Sequence, residues 1–331
     1  MWFKTDLEYI PLHFIKDDKF FNFTEYTSQH LETLKLSISR LGVVNPVILQ
    51  PLQGMYRIVV GFGRFFAAKQ LKLSFIPARV LKDDLSSPQI LKFILLLHSR
   101  KFSLAEKARL IKIMNLSGLS PKQIVREFGS YLEVNSQEIV RSYLKISNYH
   151  PGFLSYLSTH GVSLKHSLSA EGLSFQEQGF FLFLANSLSL KGYDLNDILT
   201  DLREIAMLER KKVLTVVKDL KIPEILEDPT LTRSQKINKI KKIIKKERFP
   251  ILSKINQSLE KISKKLKFTP DAEVTWDSKL EEPGLKISFR ITQPEMAKSI
   301  AKDLLNKTNI SLINELLRIY YEGLSDKEDV D

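Results

Sequence analysis

The chain has 331 residues, 43% of them hydrophobic, with no cysteine and a net charge of +12 at neutral pH. That length can bury two or three cores; the lack of cysteine excludes disulfides, iron–sulfur clusters and cysteine-ligated zinc, and six dispersed histidines without metal-ligand spacing argue against a zinc enzyme. No apolar run approaches the roughly 20 residues a bilayer span needs and no secretory signal opens the chain, so a cytoplasmic protein is expected, and the basic balance favours polyanionic partners.

Residues 1–30 are short apolar pieces broken by Pro11 and by Lys16-Asp17-Asp18-Lys19, with residues 9–15 reading as the opening strand of a first domain. Leu34, Ile38 and Leu41 then share one helical face, and Gly42 stops that helix. Residues 46–49 form a short apolar strand, Gln53-Gly54 turns the chain, and residues 56–60 form a β-branched second strand. The stretch GFGRFFAAKQL (61–71) reads as strand, glycine turn and helix, with Arg64 in the first helical turn. Free N–H groups there, beside one arginine, make a seat for phosphate. Residues 77–80 close the unit with a third strand. Residues 83–88 mark a turn, residues 89–98 a buried helix, and Asp83-Asp84 is the tight acidic pair of this domain, read as a solvated turn. Ser103 caps the next helix, with Glu106 completing a capping box.

Residues 119–145 read as a helix-turn-helix. Ser120 is an N-cap and Pro121 the first helical residue; Ile124, Val125 and Phe128 face inward, Gly129 ends the helix, and residues 130–133 lengthen the turn. A second helix begins near Asn135 or Ser136, with Ile139, Val140, Tyr143 and Leu144 inward and Gln137, Glu138, Arg141 and Lys145 outward. A recognition helix needs such a packed back and polar front. Ser136, Gln137, Glu138, Arg141 and Lys145, with Lys122, are therefore the candidate DNA-binding residues, and Arg141 best suits a guanine edge.

Residues 148–210 read as short helices separated by Pro151, Gly161, Gly172, Gly179 and Gly192; His160 and His166 are capping or half-buried residues, or else phosphate contacts. Residues 233–248 carry eight Lys or Arg and one Glu, with Ile237, Ile240, Ile243 and Ile244 at helical spacing, and residues 252–268 repeat the pattern. DNA-backbone contact, a membrane-surface helix and a dimerising helix with a solvated basic side all fit. Residues 269–323 form a second α/β unit, with strands over 272–276 and 285–291, a helix from Pro294 through Leu305, and another capped by Ser311 and ending at Tyr321. The acidic end is expected to be disordered.

Several of these residues carry a family resemblance. Leu34, Ser37-Ile38, Gly42, Asn45-Pro46, Leu49, Pro51, Tyr56, Ile58-Val59, Gly61, Arg64, Ala67-Ala68-Lys69, Leu71, Ile76-Pro77-Ala78 and Val80 stand in an order that resembles the N-terminal domain of the ParB partition-protein family. The resemblance spans roughly residues 8–200. It implies a fold shared with sulfiredoxin, whose thiol chemistry this cysteine-free chain cannot perform, and DNA binding coupled to a CTP switch. In the phosphate box, usually Gly-Glu-Arg-Arg-x-Arg-Ala, Gly61, Arg64 and Ala67 match, while Phe62, Gly63 and Phe66 replace the glutamate and two arginines. In the next motif Phe102, Glu106 and Ala108 match, Arg100 stands in for the arginine, and the Glu-Asn pair that serves CTP hydrolysis is missing. The resemblance thus implies Gly61, Gly63, Arg64, Ala67, Arg100 and Glu106 as nucleotide-binding residues, CTP with Mg²⁺ as cofactor, and no hydrolysis.

The expected architecture is an α+β ParB/sulfiredoxin-like domain (1–98), an all-α helix-turn-helix domain (99–210), a basic helical linker (211–268), a small α+β C-terminal domain serving dimerisation (269–323) and an acidic tail (324–331). The function implied is that of a homodimeric, ParB-like, double-stranded-DNA-binding protein in chromosome or plasmid partition. A ParA-type ATPase is the further partner, although the basic leader usual in ParB proteins that recruit one does not precede this domain. The alternative is a nucleotide-independent transcriptional regulator or nucleoid-associated protein on the same scaffold. A nuclease would need a carboxylate cluster for Mg²⁺, which the spacing of Asp and Glu does not supply.

Overall fold

The computed structural model describes residues 3, 7–82, 85–98, 100–268, 272–282 and 284–328, with side chains through Glu322. The Asp83-Asp84 pair and the last three tail residues lie outside the described residues. The chain divides into two units, residues 1–199 and 200–331.

The first unit opens with a four-stranded sheet in the order β1-β4-β2-β3. Strand β1 (Glu8–Pro11) runs antiparallel to β4 (Phe75–Val80), β4 runs parallel to β2 (Val47–Leu52), and β2 runs antiparallel to β3 (Met55–Val60). Gln53 and Gly54 both take positive φ, which gives the β2–β3 hairpin a turn of matching twist. Helix α1 (Ser28–Leu41) starts at the Thr27 cap and stops at Gly42, whose φ is +72°. Helix α2 (Phe62–Gln70) packs on α1 and on the sheet, burying Phe62, Phe65, Ala67 and Ala68. Val47, Leu49, Ile58, Ile76 and Ala78 complete that core with Ile90, Leu91 and Ile94 of α3 (Ser87–Leu97).

Helices then follow without interruption by strands: α4 (Leu104–Leu116), α5 (Pro121–Leu132), α6 (Gln137–Ile146), α7 (Pro151–Thr159), the short α8 (Leu164–Ser167) and α9 (Phe175–Ser187). Helix α5 does not end at Gly129 as expected. It continues to Leu132, and the turn is confined to residues 133–136. Gly129 serves a different purpose, because a Cβ there would lie 2.4 Å from the Val134 carbonyl oxygen as the chain folds back. The expected long turn is therefore a short one.

Helix α10 (Gly192–Leu208) leads into the second unit, where α11 (Val213–Asp219), α12 (Ile222–Glu227), α13 (Arg233–Arg248) and α14 (Pro250–Ser263) follow. Strands β5 (Ala272–Trp276) and β6 (Leu285–Phe289) pair antiparallel, and α15 (Pro294–Leu304) and α16 (Lys307–Glu328) complete it. Residues 211–268 are not a linker. Leu259 and Ile262 of α14 share a core with Leu280, Leu316 and Tyr320, and Arg248 of α13 pairs with Asp201 and Glu204 of α10. Ser311 lies inside α16 rather than at its start; Asn306 does the capping, its side chain accepting from the Thr308 N–H at 2.8 Å. The helix also runs past Tyr321 to Glu328, through much of the tail expected to be disordered.

Candidate nucleotide seat and nucleic-acid interface

Helix α2 offers its N-terminus where the phosphate seat was expected. Gly61 caps it at φ +102°, and a Cβ there would sit 2.9 Å from Val47 Cγ1, so glycine is demanded by both backbone and neighbour. The Arg64 guanidinium folds back over Gly61, and Nη1 donates to the carbonyls of Asn45 at 2.6 Å and Pro46 at 2.8 Å. Burial pushes its pKa down, against the opposing pull of Tyr26. Gly63 is buried, and a Cβ at that position would lie 2.7 Å from Cε1 of Tyr26. Burial raises the Tyr26 pKa, against the opposing pull of the Gly63 backbone and of Arg64. The tyrosine ring stacks on His30, with centroids 5.7 Å apart, and meets Phe66 edge-on.

Tyr26 thus packs against the start of α2, and the absence of a Cβ on Gly63 admits its ring. Ala67 is fully buried against the core and cannot touch a ligand, which removes it from the expected nucleotide-binding set. Glu106 caps α4 through the Ser103 N–H and receives Arg100 in a fork, Nη2 to Oε1 at 2.6 Å and Nη1 to Oε2 at 2.9 Å. Burial alone would raise the Glu106 pKa, but the Arg100 and Ser103 bonds together hold it below the ordinary value. Arg100 and Glu106 thus pair with one another, while the Arg100 side chain stays half-exposed. Among the described residues no group of three His, Asp or Glu could hold a metal ion. As they stand, Arg64 Nη1 is taken by two carbonyls and Tyr26 lies against Gly63, so a phosphate placed on the start of α2 would have to displace that ring.

The polar front expected downstream is well formed. Ser136 caps α6, accepting from the Ile139 N–H at 3.2 Å, while Val140, Tyr143 and Ile146 are buried behind it. Gln137, Glu138, Arg141 and Lys145 are exposed, as is Lys122 on α5. Ser136 is spent on its cap, and Lys145 pairs with Glu171 at 2.9 Å. His160 stacks on Tyr156 at 3.9 Å and bonds its carbonyl through Nδ1, a packing role. Sequence reasoning missed Tyr26 and Glu133. Tyr26 had a signal, an aromatic directly before the Thr27 cap of α1. Glu133 had none, since its importance comes from lysines elsewhere in the chain.

Residues 3–95 match the family described as ParB N-terminal domain. The chain carries a ParB-type N-terminal domain. A curated relative, the probable chromosome-partitioning protein ParB of Borreliella burgdorferi, is 25% identical over 155 residues, which are 46% of this chain and 58% of the relative. The chain therefore matches less than two thirds of that relative's length. Solved structures show weaker likeness. The C-terminally truncated ParB of Caulobacter crescentus with CTP-gamma-S is 21% identical, covering 52% of this chain and 94% of that one at a TM-score of 0.27. A pNOB8-like ParB N-domain is 16% identical, covering 71% and 96% at a TM-score of 0.34. Among the described residues no helix is long and apolar enough to cross a membrane.

Proposed function

We propose that this chain is a ParB-like DNA-binding protein acting in chromosome or plasmid partition. One observation carries the reading: a ParB-type N-terminal domain stands directly upstream of α5 and α6, whose short turn and exposed polar front suit a helix-turn-helix. Helix α6 lies in the major groove of double-stranded DNA, where Gln137 and Arg141 read base edges and Lys122 contacts phosphate. Helix α13 adds sequence-independent attraction, because it buries Ile240 and Ile244 and leaves Lys239, Lys242, Lys245 and Lys246 exposed. Leu304, Leu305 and Ile310 are exposed apolar residues of the second unit, and they support a homodimer. A ParA-type ATPase belongs to the same reading.

A second reading, a nucleotide-independent regulator or nucleoid protein, is favoured by Tyr26 packed against the start of α2 and by Phe62 and Phe66 where the family's box carries charges. A genome-wide map of DNA occupancy by the native protein separates the two. Partition with a CTP-loaded sliding clamp gives signal spreading over kilobases from a few sites. A nucleotide-independent regulator gives narrow peaks at promoters, a nucleoid protein gives broad occupancy without preferred sites, and no occupancy of DNA at all refutes both readings.

A further inference from the structure

Glu133 breaks a local rule. It closes α5 in the left-handed conformation, φ 54° and ψ 44°, a position that glycine or asparagine takes at lower cost. The carboxylate is divided between two lysines, with Oε2 receiving Lys107 of α4 at 2.9 Å and Oε1 receiving Lys101 at 3.0 Å. Lys107 is almost fully enclosed, and its ammonium has this carboxylate as its partner. Lys101 lies beside Arg100, in the segment that joins the ParB-type domain to α4.

We infer that Glu133 is a positioning residue for α6: it clasps the α5–α6 turn to α4 through Lys107 and to the exit of the ParB-type domain through Lys101. The inference rests on the reading of α6 as the DNA-contacting helix. Tyr143 lies on the buried side of α6, and α6 packs on both α4 and α5. Without the carboxylate, Lys107 would be an enclosed charge without its partner, and the turn would be free to shift away from α4. Base recognition depends on helix orientation, whereas phosphate attraction depends mainly on charge. Loss of the clasp therefore acts on sequence discrimination.

The test uses the full chain, first with wild-type protein enriching duplexes from a random-sequence pool, then with E133G, E133Q and K101A on the enriched duplex and on unselected DNA. Glycine suits the backbone of this turn, so a merely structural cap predicts that E133G folds and binds as wild type does. The clasp predicts that E133G and E133Q lose about tenfold in discrimination, the worth of roughly one base contact, with an unchanged salt slope. K101A removes the exposed arm, cannot strand an enclosed charge, and shows a smaller loss of the same kind. Wild-type discrimination in E133G, or in K101A should the Glu133 variants not fold, overturns the clasp. Failure of the wild-type chain to enrich any duplex overturns the DNA-binding reading itself.

Discussion

Tyr26 lies against the start of α2, where a Cβ on Gly63 would lie 2.7 Å from its Cε1. Tyr26→Ala removes the ring from beside the candidate phosphate seat. It should raise affinity for CTP several-fold, as read by equilibrium dialysis. Equal affinity in both proteins would show that the ring does not compete. Glu133 gives a prediction in pH. Bonds from Lys107 and Lys101 hold its carboxyl down from 4.5 to about 2, so the folded state binds this proton less readily than the unfolded chain. Its contribution is complete above 4.5 and is lost as pH falls towards 2. The difference in thermal midpoint between wild type and E133Q should shrink across that window. A constant difference would mean that the charge is not what Glu133 contributes.

Helices show which parts of a sequence can be read locally. The capping boxes of Ser103 with Glu106 and Ser120 with Gln123 lie within four residues, and both helices start where those residues place them. Helix ends were less legible. Gly129 resembles a stop signal, yet its backbone continues in α5 because the glycine is needed for the close approach of Val134. Ser311 resembles a cap, but Asn306 begins α16 five residues earlier. The front of α6 was legible, since alternate burial along an amphipathic helix follows from spacing alone. Arg141→Ala should cost about 1–3 kcal/mol on an enriched duplex, measured by titration, because an exposed arginine at mid-helix suits a bidentate base contact. Unchanged affinity and preference would remove Arg141 from base reading.

The division of the whole chain follows packing rather than composition. Basic residues made 211–268 look like a linker, but Leu259 and Ile262 belong to the same core as Leu316 and Tyr320. Leu316→Ala should destabilise the second unit by about 2–5 kcal/mol, as a fully buried leucine does. Hydrogen exchange would show protection falling in α14 and α16 together; protection lost in α16 alone would return α14 to the status of a linker. The sequence by itself determined the ParB-type domain, its hairpin and turn glycines, the capped helix starts and the polar front of α6. These depend on residues near one another or on a family pattern within residues 3–95. Only the tertiary structure decided that Tyr26 packs against Gly63, that Arg100 and Glu106 satisfy each other, and that Glu133 joins two lysines from 26 and 32 residues upstream. Such pairings are set by where the folded chain brings distant side chains, and no local spacing encodes that.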